Sequence, residues 1–325
     1  MGMVIKGVWD NEARDAVDES GAFIRSDSAF RDWVTADGAS GFIAEAGRYH
    51  LFASPNCPWA HRALIFRKLK KLEDVIGVSI ADRPKTAGWS YSQGPGEDGD
   101  GFDAIDGAFR LSQLYTATKP DYTGKVTVPT LWDRKTRTVV NNESSEIIRM
   151  FNSAFGAFTD DTYDYYPEEL RVDIDAVNDL VYGGINNGTY RCGFAKSQQA
   201  YEDAFAKLFD ALDQVEERLA RHRYLMGNRI TEADWRLFPT LLRFDLVYYS
   251  HFKCNLRRIA DYPNLYGYLC ELYQWPGVRE TCDLQKIKAG YYSNQVHINP
   301  TGIVPVGPEL HLDDPHDRDR FAKAA

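Results

Sequence analysis

The chain has 325 residues, of which 44% are hydrophobic, and it carries a formal net charge of −9 with a pI of about 5.3. This length favours two domains with sizeable cores, while the acidic balance argues against a nucleic-acid partner and against an anionic membrane surface. No apolar run approaches the length of a membrane-spanning helix, and the first residues lack the apolar core of a secretory signal, so we expect a cytoplasmic protein with no membrane partner.

Residues 1–45 include many polar residues and are predicted to form an irregular N-terminal arm. A compact α/β unit is predicted over residues 46–160. Its expected elements are a strand at 48–54, a helix at 58–72, a strand at 75–80, strand segments at 126–128 and 130–132 separated by Pro129, a strand at 138–140 and a helix from about Glu143. Residues 82–122 are rich in glycine and predict a long inserted loop, of the kind that is often functional.

From about residue 165 the pattern becomes helical, which predicts an all-helical domain over residues 165–325. Apolar residues recur at helical spacing from Leu170 to Ile185 and again from Phe205 to Leu219, as on the buried faces of two helices. Thr231 and Asp234 are expected to form a capping box at the start of a further helix, which is a structural role. The residues from about 298 are predicted to form an irregular tail.

Cys57 is the strongest candidate for a reactive side chain. It follows a predicted strand and precedes Pro58, which is favoured in the first turn of a helix, so the thiol is expected at a helix N-terminus. The free backbone N–H groups and the positive end of the helix dipole favour the thiolate, which is the nucleophilic form. An isolated cysteine is more often a small buried apolar residue, and the strand–Cys–Pro–helix context favours catalysis here. Ala60 stands where a redox dithiol would carry its second cysteine, so a disulfide at Cys57 must be resolved by an external thiol.

A second group of candidates follows the inserted loop. If the Val128–Pro129 bond is cis, the backbone of Val128 can pair with an extended peptide; the sequence does not decide the isomer. Glu143 and Ser144 open a helix whose N-terminus suits a carboxylate, and the Glu143 carboxylate suits an ammonium group. Together they fit the head group of an α-amino acid, such as the γ-glutamyl end of glutathione, although an ordinary helix cap has the same pattern.

Nothing in the sequence indicates a metal or a nucleotide cofactor. Five cysteines, at positions 57, 192, 254, 270 and 282, and seven histidines show no ligand spacing. The glycine-rich run at 94–99 follows no strand and is acidic, which argues against a dinucleotide site.

The chain resembles the glutathione transferases and, more narrowly, the glutathionyl-hydroquinone reductases of the Xi class. The resemblance extends from about residue 30 to about residue 310. The motifs that carry it are NCPWAHR (56–62), GWS (88–90), TVP (127–129) with WD (132–133), NESSEIIRMF (142–151), NNGTYRCGFA (186–195) and NPTGIVP (299–305). The resemblance implies an N-terminal thioredoxin-like domain, a transferase-type all-helical C-terminal domain, glutathione as co-substrate and a homodimer.

The resemblance also implies a role for individual residues. Cys57 would be the nucleophile. Two positions stay open, because Lys125 competes with Arg110 for the glycyl carboxylate of glutathione and Tyr292 competes with the favoured Tyr291. The residues that would hold glutathione are Trp89, Arg110, Val128, Glu143 and Ser144, and those that would bind the phenolic substrate are Tyr190 and Tyr291.

The implied reaction is reductive cleavage of a glutathione thioether on an aromatic ring, through a mixed disulfide between Cys57 and glutathione. A second glutathione then releases oxidised glutathione and restores the thiol. Two alternatives remain: an omega-like thiol transferase or dehydroascorbate reductase, which needs Cys57 but not the tyrosines, and a non-catalytic binding scaffold, which needs no reactive thiol.

Overall fold

The computed structural model describes residues 2–12, 16–82, 88–95, 99–105 and 107–321. The chain divides into two compact units, of which the first comprises Met1–Asp15 and Ser26–Tyr163 and the second comprises Ala16–Arg25 and Asp164–Ala325. The predicted arm over residues 1–45 is therefore shared between the two units. Residues 83–87, 96–98 and 106 of the predicted loop, with part of the glycine-rich run, lie outside the described residues.

The first unit is a mixed α/β structure. Its strands are β1 (Met3–Ile5), β2 (Val8–Asp10), β3 (Val34–Thr35), β4 (Phe42–Ile43), β5 (Tyr49–Ala53), β6 (Gly77–Ile80), β7 (Ser90–Tyr91), β8 (Phe109–Arg110), β9 (Thr130–Asp133) and β10 (Thr138–Asn141), and its helices are α1 (Pro58–Leu69), α2 (Ser112–Thr118) and α3 (Ser144–Ser153).

Four of these strands form the main sheet, in the order β10-β9-β5-β6. β5 pairs in parallel with β6 and antiparallel with β9, and β9 pairs antiparallel with β10. All five residues of β5 are buried, which is typical of a central strand covered on both faces. α1 follows directly and packs against β5 and α3. The turn between β5 and α1 therefore lies at the carboxyl end of the central strand, where ligands commonly bind in α/β sheets.

Some predictions for this unit are wrong. Residues 126–128 form no strand, because Pro129 cannot donate to a strand ladder and the backbone of Thr127 bonds to the Tyr115 hydroxyl instead, at 3.2 Å from its N–H and 3.0 Å from its carbonyl oxygen. The region 82–122 is not all loop, because α2 forms within it and buries Leu114 and Tyr115. The arm is less irregular than expected, since β1 pairs with β2 and β3 pairs with β4. The other predicted strands and helices of the unit are present with ends that differ by a few residues.

The second unit is helical. Its helices are α4 (Arg171–Leu180), α5 (Asn187–Phe194), α6 (Gln198–Arg221), α7 (Glu232–Arg243), α8 (Pro263–Tyr273) and α9 (Leu284–Asn294), with π-helical turns at Val181–Asn186 and Phe244–Tyr248. The capping box of Thr231 and Asp234 is confirmed, with the Asp234 carboxylate accepting the Thr231 N–H at 2.8 Å. The tail is bound to α6 through the buried Arg318, which donates a hydrogen bond to the Leu219 carbonyl oxygen at 2.9 Å. Within the described residues, no helix combines the length and apolar character needed to cross a membrane.

Candidate active site

Cys57 is the N-cap residue of α1, in extended backbone conformation, and Pro58 is the first residue of the helix. Its half-buried sulfur accepts a hydrogen bond from the Ala60 N–H, with 3.4 Å between Sγ and N, and the thiol donates to the Val128 carbonyl oxygen at 3.3 Å. A backbone N–H that points at sulfur stabilises the thiolate more than the thiol. The first turn of α1 therefore provides a site for a negatively charged sulfur, as required of a nucleophile.

The four other cysteines belong to the second unit and are buried or half-buried. Burial raises the pKa of Cys270 to about 11 and that of Cys282 to about 12, and it raises the pKa of Cys254 well above its usual value. The thiols of Cys254, Cys270 and Cys282 therefore stay protonated at neutral pH and are poor nucleophiles.

The loop that faces Cys57 carries Val128 and Pro129, joined by a cis peptide bond. The neighbouring Thr127 is fixed by Asn142, whose amide donates to its hydroxyl at 2.9 Å, and by Thr130, whose hydroxyl donates to its carbonyl oxygen at 2.7 Å. The Val128 N–H makes no hydrogen bond to any other described residue. This backbone position can therefore accept a peptide strand, although the residue as a whole is only 4% exposed because its side chain belongs to the core.

Glu143 is the N-cap residue of α3 and lies beside Ser144. Its carboxylate accepts hydrogen bonds from the Ser145 N–H at 3.0 Å, from the Ser145 hydroxyl at 2.9 Å and from the Ser28 hydroxyl at 2.9 Å. Burial alone would raise the pKa of Glu143, but the bonds from Ser145 and Ser28 and the charge of Arg62 outweigh it and lower that pKa below 4.5. The site thus holds a half-buried, ionised carboxylate, which suits a cationic group of a ligand.

Ser144 links this carboxylate to α1. Its buried hydroxyl accepts a hydrogen bond from Arg62 Nη1 at 3.3 Å and lies 3.5 Å from the Glu143 carboxylate. Since Cys57 is the N-cap residue of α1, Arg62 links the helix that begins at Cys57 to the helix that opens with Glu143 and Ser144. Cys57, Val128, Glu143 and Ser144 are thereby brought onto connected elements of the first unit.

Trp89 directly precedes β7, and Arg110 is the last residue of β8, the strand that pairs with β7. The Trp89 carbonyl oxygen accepts the Leu111 N–H at 3.0 Å, and its half-buried side chain packs against the core of the first unit. The half-buried Arg110 pairs with Ser90 through the backbone. Lys125 is also half-buried, and its carbonyl oxygen accepts a hydrogen bond from the Tyr122 hydroxyl at 2.8 Å. These contacts do not select between Arg110 and Lys125 as the partner of a carboxylate, and that choice stays a prediction.

A cavity of about 750 Å³ lies elsewhere in the first unit and contains none of the predicted site residues. It is lined by residues from the amino end of β5 and from β6, including His50 and Ser79, and by Arg134. Because Cys57 lies at the carboxyl end of β5, this cavity is separate from the candidate active site.

In the second unit three tyrosine hydroxyls meet. Tyr291 on α9 lies 2.6 Å from Tyr190 on α5 and 3.0 Å from Tyr248 in the π-helical turn after α7, measured between hydroxyl oxygens. All three side chains are buried. The hydroxyl of Tyr292, in contrast, contacts the Ser250 hydroxyl. The structure therefore brings Tyr190 together with Tyr291 and directs Tyr292 to a different neighbour.

The hydroxyls of Tyr248 and Tyr291 are protonated at neutral pH. Burial raises the pKa of Tyr248 and that of Tyr291 well above 10, and the positive charge of Arg243 acts in the opposite direction on both. A chain of hydrogen-bonded hydroxyls in an apolar surrounding can pass a proton or hold a phenolic oxygen. The cluster is thus suited to an aromatic ligand that bears hydroxyl groups.

Sequence reasoning missed Tyr248. The apolar pattern of α7 has a period of 3.6 residues, whereas the turn that follows is π-helical and changes the phase of the side chains. The available signal was the repeat of tyrosines at 248 and 249 after a buried helix, which does not say which of the two points inwards.

An aromatic layer supports the tyrosine cluster. The Phe252 ring lies 5.4 Å from the Tyr190 ring and 5.3 Å from the Tyr248 ring, measured between centroids. The position of the Phe252 ring requires glycine at residue 193, because a Cβ atom on Gly193 would lie 2.4 Å from that ring. Among the described residues, no group of three or more His, Cys, Asp or Glu side chains could hold a metal ion.

Comparison with known proteins gives relatives over nearly the whole chain. The model of the glutathione S-transferase N-terminal domain matches residues 56–154, and that of the C-terminal domain matches residues 198–269. The chain is 51% identical to glutathionyl-hydroquinone reductase YqjG of Escherichia coli K12, over 98% of this chain and 99% of the relative, and 51% identical to glutathionyl-hydroquinone reductase PcpF of Sphingobium chlorophenolicum, over 96% and 98%.

Solved structures give the same result. The glutathione-bound structure of YqjG superposes with a TM-score of 0.85 at 47% identity, covering 98% of this chain and 99% of that one. The Xi-class glutathione transferase of Natrialba magadii superposes with a TM-score of 0.87 at 44% identity, covering 98% and 97%.

Proposed function

The chain belongs to the glutathione transferases and, within them, to the glutathionyl-hydroquinone reductases of the Xi class; from this premise we propose that Cys57 is the nucleophile that attacks the glutathione sulfur of the substrate. The protein is an enzyme that uses glutathione to cleave glutathionyl-hydroquinones to hydroquinone and oxidised glutathione. The observation that carries the mechanism is the Cys57 sulfur at the N-terminus of α1, with the Ala60 N–H directed at it.

The first step breaks the bond between the glutathione sulfur and the aromatic ring. The Cys57 thiolate attacks that sulfur, a disulfide forms between Cys57 and glutathione, and the electron pair of the carbon–sulfur bond stays with the ring carbon, which takes up a proton. An aryl carbon is a poor leaving group unless a ring hydroxyl allows a keto tautomer. The hydroxyls of Tyr190 and Tyr291 would bind the oxygens of the hydroquinone and assist this proton transfer.

The second step restores the enzyme. A second glutathione loses its thiol proton and attacks the glutathione sulfur of the mixed disulfide, which releases oxidised glutathione and the Cys57 thiolate. The proton lost here balances the proton taken up by the ring carbon in the first step. Since Ala60 stands where a resolving cysteine would be, the external thiol is required.

Glutathione itself would be held by the first unit. The ionised Glu143 carboxylate would pair with the γ-glutamyl ammonium group, while Ser144 and the N-terminus of α3 would bind the adjacent carboxylate. Val128 would pair with the peptide backbone by strand addition. Trp89 would complete the site, with Arg110 at the glycyl carboxylate and Lys125 as the alternative.

The proposal has two broader features: the enzyme is a homodimer, which rests on the family resemblance, and it acts in the cytoplasm, which rests on the cysteine usage of the sequence. Sedimentation equilibrium tests the first, because a mass of one subunit at micromolar concentration contradicts it. The sparse cysteines, which form no disulfide pattern in the sequence, fit a reducing compartment.

A single-turnover experiment tests the mechanism. The enzyme is mixed with a synthetic glutathionyl-hydroquinone in the absence of free glutathione and analysed by mass spectrometry. We expect one glutathione bound to Cys57 for each hydroquinone released, and loss of this adduct when glutathione is added. Replacement of Cys282 by serine, the other half-buried cysteine, should leave the adduct unchanged. Hydroquinone release without any adduct would contradict the proposal.

A further inference from the structure

Residues 16–25, here called the 16–25 segment, belong to the second unit although they lie in the N-terminal arm of the sequence. The Gly21 carbonyl oxygen accepts the Lys196 N–H at 2.9 Å, and the Ser20 carbonyl oxygen accepts the Ser197 hydroxyl at 2.7 Å. Gly21 has a φ of +85°, which favours glycine. The segment is thus fixed by its backbone to the connection between α5 and α6.

Side-chain packing directs the end of this segment towards Tyr190. The Phe23 ring packs edge-on against the Phe194 ring, with 5.2 Å between centroids, and Phe194 packs against Tyr190 at 5.7 Å. Arg25 then donates from Nε to the Asn187 side-chain oxygen at 2.7 Å. Asn187 precedes Tyr190 by three residues on α5 and is buried, so this bond fixes the guanidinium group on the helix that carries Tyr190.

The guanidinium group of Arg25 lies over two rings. Its central carbon is 4.8 Å from the centroid of the Tyr190 ring and 5.4 Å from that of the Phe23 ring. Both distances lie within the range of a cation–π interaction, which is stronger when the partners are shielded from water. The Tyr190 residue is 8% exposed and its hydroxyl is 2.6 Å from that of Tyr291.

We propose that Arg25 is a positioning residue for thioether cleavage. Arg25 orients the Tyr190 ring, and its positive charge favours proton donation by the Tyr190 hydroxyl to the leaving hydroquinone. This inference rests on the proposed role of Tyr190. When the hydroxyl transfers its proton, negative charge develops on the tyrosine, and a cation over the ring attracts this charge more strongly than the neutral ring. The interaction therefore stabilises the transition state more than the ground state, which is what raises kcat.

Arg25 acts on Tyr190 from a position over the ring. Burial raises the pKa of Tyr248 and that of Tyr291, and the Arg243 charge acts to lower both. Other titratable or charged groups near the ring, among the described residues, include the hydroxyls of Tyr248 and Tyr291, His251 beside Phe252, His297 beside Phe194, and Arg191 and Cys192 on α5 itself. The variants that test Arg25 leave all of these groups in place, and Arg191 is replaced only in the control variant.

The test compares Arg25→Gln, which removes the charge, with Arg25→Lys, which keeps it. We expect Arg25→Gln to lower kcat for cleavage of a synthetic glutathionyl-hydroquinone roughly 2- to 30-fold, the range of a cation–π interaction, and Arg25→Lys to recover part of this loss. Arg191→Gln is the matched control, because it removes the same charge from an exposed position next to Tyr190. Reduction of a small glutathione disulfide, which needs Cys57 and the glutathione site but not Tyr190, should be unchanged in all three variants.

Two readouts separate this role from general damage to the fold. In Arg25→Gln the alkaline limb of the pH–kcat profile should move to higher pH, because Tyr190 then loses its proton less readily, and Arg25→Lys should move it back. In a Tyr190→Phe background, Arg25→Gln should have no further effect on cleavage. An equal loss in both backgrounds, an unmoved pH profile or an equal effect of Arg191→Gln overturns the inference. If Tyr190→Phe itself cleaves at the wild-type rate, the proposed role of Tyr190 is wrong and the role of Arg25 falls with it.

Discussion

Replacement of Glu143 by glutamine tests how the first unit recognises glutathione. The carboxylate accepts hydrogen bonds from the Ser145 N–H, the Ser145 hydroxyl and the Ser28 hydroxyl, all at 2.9–3.0 Å. Glutamine keeps the shape and one acceptor oxygen, and the Ser28 hydroxyl can rotate to accept from the new amide. We therefore expect the fold to be retained while the partner charge for the ammonium group of glutathione is lost.

The size of the effect follows from the loss of a charge-assisted hydrogen bond. Such a bond is worth about 1.5–3 kcal/mol, so the dissociation constant for S-methylglutathione should rise about 10- to 150-fold. The kcat at saturating glutathione should change little, because Glu143 touches neither sulfur nor ring in the proposed mechanism. Isothermal titration calorimetry gives the dissociation constant, and thermal unfolding checks the fold.

The pH dependence gives a second test of the same carboxylate. Because the pKa of Glu143 is lowered below 4.5 in the folded protein, its ionised form stabilises the fold above pH 4.5, and this contribution is lost as pH falls through the folded-state pKa. Glutathione affinity should therefore not change through titration of Glu143 between pH 8 and pH 5. In Glu143→Gln, the free energy of unfolding should fall less at acid pH, because the contribution from protonation of Glu143 is absent.

The matched control is Glu146→Gln. Glu146 lies on the same helix, three residues further on, where it forms an ion pair with Arg31 and accepts the Asn141 amide at 2.7 Å. Its replacement removes the same charge from α3 without changing the proposed contact to glutathione. An unchanged dissociation constant in Glu143→Gln, or an equal rise in Glu146→Gln, would refute the assignment of Glu143.

Three further predictions concern the second unit. Tyr190→Phe should slow thioether cleavage about 100-fold or more while leaving disulfide reduction unchanged, and Tyr292→Phe should slow cleavage much less. Stopped-flow kinetics measures the rates of both reactions. Equal losses of thioether cleavage and disulfide reduction in Tyr190→Phe would contradict the role of Tyr190. Asp234→Asn should lower the free energy of unfolding by roughly 2–4 kcal/mol in urea titrations, because a capping acceptor is lost and a buried donor is left without a partner; a loss below 0.5 kcal/mol would speak against the capping role. Gly193→Ala should destabilise the unit by about 1–3 kcal/mol and slow cleavage, because its Cβ would lie 2.4 Å from the Phe252 ring; wild-type unfolding would show that the ring can move aside.

Local sequence signals predict the position of Cys57 at a helix N-terminus and much of the first unit. Cys57 follows a short apolar strand and precedes a proline, and each of these features acts within a few residues along the chain, so the helix N-terminus and its thiol can be placed without tertiary information. The same holds for Thr231 and Asp234, whose spacing of three residues is itself the signal for the capping box.

The features that the sequence did not predict depend on side-chain contacts or backbone geometry that the local residue pattern does not encode. Residues 126–128 have the composition of a strand, but the Tyr115 hydroxyl takes both backbone hydrogen bonds of Thr127. The phase change in the π-helical turn conceals Tyr248. Arg25 lies in a polar arm, and its position over Tyr190 results from backbone bonds to residues more than 170 positions away.

The most direct test of the central claim is turnover of a synthetic glutathionyl-hydroquinone with excess glutathione, comparing the wild type with Cys57→Ala. The account predicts that the wild type releases hydroquinone and forms one oxidised glutathione for each molecule cleaved, and that the variant does neither. If the wild type reduces small disulfides but releases no hydroquinone, or if Cys57→Ala still releases it, the proposed mechanism is contradicted.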